Sequence, residues 1–579
     1  MDYTEIYEAW LHSPKVDAET KNEIRSILDD ENKLRHRFGS YLKFGTAGLR
    51  AKMGAGTNRM NVYTVAHVTE GVARLIKSLG ETAMTRGVVI AHDNRNNSSL
   101  FARRAAEVLA HSGIKVYLFD DVRPTPELSF AVRYLNCTAG INITASHNPK
   151  EYNGYKLYGP DGAQPTEETV ARVRAFVDQI DILEDIPITN PDNGLIRSIG
   201  SEIDLAFLDA VLGEAVNPDV VKRASESLSV VYTPLFGAGA KFVPEIMRRI
   251  GLCKIYTVNE QMVHDGDFPG LLKPNPEYPA SFELGIKLAE NVNSDLIIAT
   301  DPDADRVGVM VKGRDGVFKT ISGNQMGSLL LNYILSALKE RNELPSDAYA
   351  VKTIVTTEMA ETICDSFGVK LYNVLTGFKF ISEVIREHEE SGKGTFILGF
   401  EESYGYLKGL HARDKDSVVT SMLICEMAAY YHLRGMTLLD ALDELFGKYG
   451  YYSEDTSEIY QDSVDGREKI AAMMDTLRNN APEKIGGSPV VEVRDYLSGT
   501  IKELRTGNVT PTFLPSSNVM YFKTAEGNAI IARPSGTEPK IKFYVLAHGD
   551  SLEASLEAVS ACKATIEDVF SLERGSLKK

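Results

Sequence analysis

The chain has 579 residues, 43% hydrophobic and 25% charged, with 63 lysines and arginines against 80 aspartates and glutamates, a formal net charge of −17. That length corresponds to about four domains of ordinary size, and the composition excludes a disordered, collagen-like or disulfide-stapled chain. The acidic balance, without any basic run, argues against nucleic acid and anionic membrane as partners. In chain order, residues 1–40 are expected to form a helical extension, with Asp17 as N-cap of helices reaching Arg37 and with Ile24 and Leu28 on one face. Short apolar strands then alternate with helical stretches: Val88–Ala91, Val116–Phe119 and Ile141–Thr144, separated by segments such as Leu100–His111. This alternation predicts βα units around a mixed or parallel sheet. A loop is expected at Pro187–Gly194, and a second α/β block runs from the strand Leu228–Tyr232 to the strand Asp295–Ala299. A third block has strands at Ala350–Val355 and Thr395–Gly399 and apolar helices at Gln325–Leu338 and Val418–Leu433. The tail differs in kind: alternating strands at Val490–Val493, Val519–Lys523, Ala529–Ala532 and Ile541–Leu546, then a helix from Ser551 to about Leu572, predict an α+β domain with an antiparallel sheet.

Cys137, Cys253, Cys364, Cys425 and Cys562 are far apart and form no C-x-x-C pair, so reduced thiols are expected. No signal-peptide pattern follows Met1 and no run of about 18 apolar residues occurs, so the protein is expected to be cytoplasmic.

Five segments carry candidate chemistry. Thr144-Ala145-Ser146-His147-Asn148-Pro149 lies where a buried strand ends, with Lys156 ten residues on. A hydroxyl beside a histidine and a lysine is what phosphorylation and re-donation need, whereas a bare Ser-His pair is more often a capping serine with a hydrogen-bonded histidine. Asp301-Pro302-Asp303-Ala304-Asp305-Arg306 also follows an apolar strand; carboxylates at alternate positions can converge on one hard cation, with the arginine free for a phosphate. An EF-hand would need Gly and Glu where this chain has Arg306 and Lys312. A solvated acidic turn remains an alternative, as does a haloacid-dehalogenase-like phosphatase with Asp301 as nucleophile, although that would leave Ser146 without a task. Thr376-Gly377-Phe378-Lys379 and Gly399-Phe400-Glu401-Glu402-Ser403-Tyr404-Gly405 offer carboxylate and hydroxyl groups suited to vicinal sugar hydroxyls, or else are ordinary polar strand exits. Arg533-Pro534-Ser535-Gly536-Thr537-Glu538-Pro539-Lys540 has the make-up of an anion nest for a phosphate monoester, or of a plain Pro/Gly turn. Gly45-Thr46-Ala47-Gly48-Leu49-Arg50 is a glycine-containing loop whose arginine alone would be a surface charge.

Taken in this order over nearly the whole chain, the segments resemble the signatures of the α-D-phosphohexomutase superfamily, in particular its longer, phosphoglucomutase-2-like bacterial branch. The resemblance implies an α/β fold of four domains around a central cleft, three related α/β domains and a C-terminal α+β domain with an antiparallel sheet. The corresponding divisions here are the helical extension 1–40, then 41–200 with the phosphoserine, 201–318 with the metal, 319–445 for the sugar and 446–579 for phosphate. It implies phosphoserine at Ser146, Mg²⁺ held by Asp301, Asp303, Asp305 and a phosphate oxygen on Ser146, and Lys156 as general acid/base. His147, Arg50 and Arg306 would line the transfer site, Thr376, Gly377, Lys379, Glu401 and Ser403 the sugar site, and Arg533, Ser535, Gly536 and Thr537 the phosphate loop. The implied reaction interconverts α-D-glucose 1-phosphate and D-glucose 6-phosphate through glucose 1,6-bisphosphate, which turns end for end, with a phosphosugar as the only partner and no obligate protein partner. Closure of the tail domain over the cleft would exclude water. Phosphopentomutase and phosphomannomutase activities of the same superfamily are the nearest alternatives; a phosphatase or a non-catalytic phosphosugar-binding protein are those of another class. At Phe236 relatives often have histidine.

Overall fold

The computed structural model describes residues 2–45, 48–186, 193–461, 465–536, 539–572 and 577. Two compact units are present, Met1–Ser322 with Ile385–Gly392 and Ser403–Thr437 in one, and Gly323–Val384 with Lys393–Glu402 and Leu438–Lys579 in the other.

In the first unit, apolar runs such as Val88–Ala91 and Leu296–Ala299 become interior strands because both of their faces are covered, whereas the interior strand Tyr152–Tyr158 carries the buried polar residues Asn153 and Lys156. Its first sheet contains β1 (Gly48–Lys52), β2 (Val88–His92), β3 (Val116–Phe119), β4 (Ala139–Ile143), β5 (Tyr152–Tyr158) and β6 (Ile196–Ile199), in the order β1-β5-β4-β2-β3-β6. The pairs from β4 through β2 and β3 to β6 are parallel, whereas β5 returns antiparallel beside β4 with Lys156 opposite Asn142. The Ser146 segment is therefore a short connection between neighbouring strands. β1 lies antiparallel on β5 with Arg50 opposite Gly154. A side chain at Gly154 would meet the Thr144 carbonyl oxygen at 2.4 Å, so glycine is needed where the two ends of the connection approach.

The second sheet contains β7 (Ser229–Thr233), β8 (Lys254–Thr257), β9 (Leu296–Thr300), β10 (Val307–Lys312) and β11 (Phe318–Ile321), in the order β11-β10-β9-β7-β8. Thr300 pairs with Val307 across the antiparallel β9–β10 hairpin, so Asp301–Arg306 is the hairpin's own loop. Gly237 lets a neighbouring loop press on it, since a Cβ there would sit 2.4 Å from the Pro302 Cα.

In the second unit β12 (Ala348–Thr353) runs parallel to both β13 (Lys370–Val374) and β14 (Thr395–Glu401); the short β15 (Gly405–Leu407) that follows in sequence belongs to the first unit. The tail is an antiparallel sheet of β16 (Tyr451–Tyr460), β17 (Lys484–Ile485), β18 (Ser488–Asp495), β19 (Thr500–Glu503), β20 (Val509–Pro511), β21 (Met520–Thr524), β22 (Ala529–Pro534) and β23 (Lys540–Gly549). Alternation along its strands serves two faces. Phe522, Ile530 and Phe543 pack with Val559, Cys562 and Ile566 of the final helix Leu552–Val569, while Tyr521, Ile531 and Tyr544 pack with Ile354, Val355 and Leu375.

The expected N-cap at Asp17 is present, its side chain accepting from the Thr20 N–H at 2.8 Å. The helix it starts, Ala18–Arg25, is shorter than expected, because Asp30 caps a second helix, Glu31–Phe38, and the chain turns between them. Ile24 is thus buried while Leu28 is exposed, not on a shared face. Thr144 has left β4, its hydroxyl accepting the Ser146 N–H at 2.8 Å. Part of the expected Pro187–Gly194 loop, residues 187–192, lies outside the described residues. Among those described, no helix is long and apolar enough to cross a membrane, and the cysteines are unpaired, Cys253 alone being exposed.

The helix Ser417–His432 is buried along nearly its whole length, as its apolar sequence dictates. Its Glu426 carboxylate, fully buried, accepts the N–H groups of Val216 at 3.1 Å and Asn217 at 2.9 Å at the start of the helix Pro218–Ala224. Glu426→Ala leaves these donors in a dry site and is expected to lower stability by about 3 kcal/mol, read as an earlier urea midpoint; Glu426→Gln, which keeps an acceptor, should cost less than half of that.

Candidate active site

Two strand ends of the first unit bring the serine and the aspartates together. Ser146 Oγ donates to Asp301 Oδ2 at 2.8 Å and lies 3.1 Å from His147 Nδ1. Asp301, Asp303 and Asp305 are all buried, and each presents a carboxylate oxygen within 4.8 Å of the others. Two unit charges at 4.8 Å repel by about 3.5 kcal/mol at an effective dielectric of about 20, so the three pairs together approach about 10 kcal/mol, the size of a domain's net stability.

The surrounding groups divide this load unequally. Asp301 is pushed well above the usual carboxylate range by burial and by the charges of Asp305 and Asp303. Burial would raise Asp305 too, but Lys156, Lys415 and Arg306 outweigh it and hold its carboxyl below the usual range. Lys156 Nζ donates to Asp303 Oδ2 at 2.7 Å and Asp305 Oδ2 at 3.2 Å. Burial opposes its charge, but these two carboxylates win and raise its pKa, so it is an ammonium. His147 is driven the other way, well below its ordinary value, by burial and by the Arg306 and Arg50 guanidinium groups, and its ring is neutral.

Hydrogen bonding leaves a distinctive remainder. Asp301 Oδ1 accepts the N–H groups of Asp305 at 3.1 Å and Arg306 at 3.0 Å. Asp303 and Asp305 each have Oδ2 occupied and Oδ1 buried with no partner. Unsatisfied buried carboxylate oxygens are costly. Together with Asp301 Oδ2 and the serine hydroxyl, they form an all-oxygen donor set that fits a hard divalent cation.

Arg50 Nη1 donates to Asn148 Oδ1 at 3.2 Å, and Arg306 Nη1 to Glu277 Oε1 at 2.7 Å. Ser403 belongs to this unit as well; the next residue, Tyr404, accepts the Val307 N–H at 3.1 Å, tying that segment to the aspartate loop. The remaining sequence-selected residues lie in the second unit. Thr376 Oγ1 is buried without a partner, Gly377 has φ 119°, and Lys379 Nζ lies 4.8 Å from the centre of the Phe380 ring. Glu401 ends β14 and is buried, with Glu402 Oε2 3.5 Å from the Thr353 hydroxyl. Arg533 is near the end of β22, the Ser535 N–H donates to the Lys540 carbonyl at 2.8 Å, and Gly536 is exposed. Thr537 lies outside the described residues, as do Thr46 and Ala47.

Two neighbours of the aspartates escaped the sequence reading. Thr125 donates its hydroxyl to Asp303 Oδ2 at 2.7 Å and its N–H to the Asp303 carbonyl at 2.8 Å. Lys415 Nζ lies 3.3 Å from Asp305 Oδ2 and 3.0 Å from Asp414 Oδ1. The charged triplet Asp414-Lys415-Asp416, set directly before an apolar helix that Asp416 caps, was the available signal for the second; nothing marked Thr125.

Models of the phosphoglucomutase/phosphomannomutase α/β/α domains I, II and III match residues 41–183, 206–316 and 322–449. A phosphoglucomutase of Staphylococcus haemolyticus is 36% identical over 518 residues, covering 89% of this chain and 92% of the relative. One from Staphylococcus aureus is 37% identical over 517 residues, covering 88% and 90%. Among solved structures, a putative phosphomannomutase from Thermus thermophilus shares the fold with TM-score 0.67 at 23% identity, over 91% of this chain and 99% of that one. The phosphoglucomutase parafusin from Paramecium does so with TM-score 0.65 at 17% identity, over 93% and 95%.

Divalent-cation binding tests the donor set directly. Titration with Mg²⁺ or Mn²⁺ is expected to show a single site, and Asp303→Asn to weaken it at least about 100-fold, whereas Thr125→Val, which only frees one side of Asp303, should weaken it about 10-fold.

Proposed function

We propose, on the premise that this chain belongs to the phosphoglucomutase/phosphomannomutase family, that Ser146 is its phosphoryl carrier. The activity is that of an isomerase, a phosphoglucomutase, interconverting α-D-glucose 1-phosphate and D-glucose 6-phosphate. The observation that carries the assignment of Ser146 is its hydroxyl, 2.8 Å from a buried aspartate whose two companions have oxygens to spare.

A phosphoserine brings about −1.5 to −2 charges to a site that already crowds three carboxylates. The cation we assign to Asp301, Asp303 and Asp305 is Mg²⁺, which when bound neutralises that crowding and withdraws charge from the phosphoryl group. The chain's own residues do the rest. Phosphorylated Ser146 loses its phosphoryl group to the free hydroxyl of the sugar phosphate, the Oγ–P bond breaking as the new O–P bond forms. The resulting glucose 1,6-bisphosphate turns end for end and returns its other phosphoryl group to Ser146. Arg50 and Arg306 stabilise the charge spread over the transferred oxygens, and neutral His147 offers a hydrogen bond without a further charge. Lys156 is an ammonium held by Asp303 and Asp305; we assign it as the general acid/base, giving a proton to the departing oxygen and taking one from the attacking hydroxyl.

Thr376, Gly377, Lys379, Glu401 and Ser403 are assigned to the sugar, and Arg533, Ser535, Gly536 and Thr537 to the phosphate that is not in transfer. The division at residues 1–40, 41–200, 201–318, 319–445 and 446–579 belongs to the same reading, supported by family matches that begin at residues 41, 206 and 322. A cytoplasmic location is part of it too, supported by the unpaired cysteines, as is a phosphosugar as the sole obligatory partner. A phosphatase using Asp301 is disfavoured, because it would leave without a task the Ser146 hydroxyl that donates to that carboxylate.

The deciding assay follows turnover with Mg²⁺ and trace glucose 1,6-bisphosphate on α-glucose 1-phosphate, α-mannose 1-phosphate and α-ribose 1-phosphate in parallel. Preference for the glucose ester is expected, and preference for the ribose ester would reassign the substrate while keeping Ser146. Ser146→Ala should fold normally, incorporate no phosphate and lose at least about 10⁴-fold in kcat; an active alanine variant would remove Ser146 from the mechanism.

A further inference from the structure

Ser146 has a left-handed backbone, φ 52°, which disfavours a residue with a side chain by about 1 kcal/mol. Two hydrogen bonds hold it there. Its N–H donates to Thr144 Oγ1 at 2.8 Å, orienting the peptide plane before its Cα, and its carbonyl accepts from Arg95 Nη2, orienting the plane after. With both planar peptides fixed, φ and ψ of Ser146 are fixed as well, and so is the direction in which Cβ leaves the backbone; the hydrogen bond from Oγ to Asp301 Oδ2 at 2.8 Å takes up the one torsion that remains.

Arg95 grips more than that one carbonyl. Its Nη2 also donates to the Asn148 carbonyl, and its Nη1 to those of Pro149 at 2.9 Å and Tyr152 at 3.2 Å. One planar group thereby secures the connection from Ser146 to the first residue of β5. Its charge is balanced in turn by Asp93: Nε lies 3.2 Å from Asp93 Oδ2 in an ion pair without hydrogen-bond geometry, both side chains being wholly buried, while Asp93 Oδ1 accepts the Arg95 N–H at 2.9 Å and the Ser98 hydroxyl at 2.7 Å. The Phe268 ring covers the guanidinium at 5.1 Å, and Phe236 supports Phe268 edge-on at 6.4 Å. The phenylalanine at 236, where relatives often have histidine, thus has an apolar task here.

We propose that Arg95 is a positioning residue of the phosphoryl transfer: its fork sets the Ser146 connection so that the hydroxyl meets Asp301, and Phe268 locks the fork. This rests on the reading of Ser146 as phosphoryl carrier. A lysine at this position supplies the charge but not several donors in one plane, and a displacement of about 1 Å of a reacting group is enough for a loss of about 100-fold.

Arg95→Lys is to be compared with wild type for phosphoserine content after treatment with glucose 1,6-bisphosphate, for kcat and KM on α-glucose 1-phosphate, and for Mn²⁺ affinity. A kcat about 100-fold lower, with KM within about threefold of wild type and Mn²⁺ binding retained, weakened at most about tenfold because the Ser146 hydroxyl is one of its donors, is expected, a split that general loosening of the fold does not produce. An Arg95→Lys enzyme within about twofold of wild-type kcat, or one that no longer binds Mn²⁺, overturns the inference. If circular dichroism shows that Arg95→Lys does not fold, Phe268→Leu decides: a kcat lowered about five- to tenfold at unchanged KM supports the lock, and an unchanged kcat overturns it. A wild type that never carries phosphate on Ser146 defeats the reading of that serine and this inference with it, whereas a phosphorylated wild type beside an unimpaired Arg95→Lys defeats this inference alone.

Discussion

Three carboxylates withdrawn from water and held within 4.8 Å of one another are the constraint to which the rest of the first unit answers. Such a group cannot persist on packing alone; it needs opposite charge and hydrogen-bond donors from every side. They arrive from distant stretches of chain: Lys156 from β5, Thr125 from the start of a helix, Lys415 from the approach to another, and Ser146 from the β4–β5 connection. The first sheet fixes the serine and Lys156, the second fixes the aspartates, and the buried helix Ser417–His432 fixes Lys415. Among the described residues Asp303 Oδ1 and Asp305 Oδ1 still have no hydrogen-bond partner, and these are the oxygens we assign to a cation.

Chemistry and recognition are separated along the chain. The groups we assign to phosphoryl transfer belong to the first unit, and most of those assigned to sugar and phosphate belong to the second, on strand exits of a parallel sheet and of an antiparallel one. Surface loops of that kind can change in sequence without disturbing residues held on another sheet.

The sequence made strands such as β2, β4 and β9 legible because each is an apolar run with a polar stop, and two of the stops were the Ser146 and Asp301 segments themselves; β5, interior but rich in polar residues, was not legible. It also showed the antiparallel tail, where alternation serves two packed faces. Edge elements such as β1 and the β19–β20 hairpin were not legible, being short, mostly polar and only partly buried, with nothing in their pattern to separate them from loops. The N-terminal helices were read as one longer pattern because periodicity does not register that Asp30 offers a second cap. Within the site, residues with a local signature were found and those defined by a partner far along the chain were not. Thr125 matters because Asp303 lies against it, Lys415 because Asp305 does, and Arg95 because carbonyl groups gather around its guanidinium; such relations exist only after folding.

The first unit is not a contiguous piece of chain. It takes in Ser403–Thr437 after the polypeptide has already built much of another sheet. During synthesis the aspartate loop therefore emerges well before Lys415, its last counter-charge, and before the helix whose Glu426 caps the turn at Val216. A fragment ending near Ser322 would contain the serine, the triplet and Lys156, yet would carry the acidic cluster without its second ammonium and with the Val216 and Asn217 donors uncapped. The order of the chain thus makes the first unit dependent on synthesis of most of the second's parallel sheet, and cutting the gene near Ser322 would not yield two self-sufficient parts.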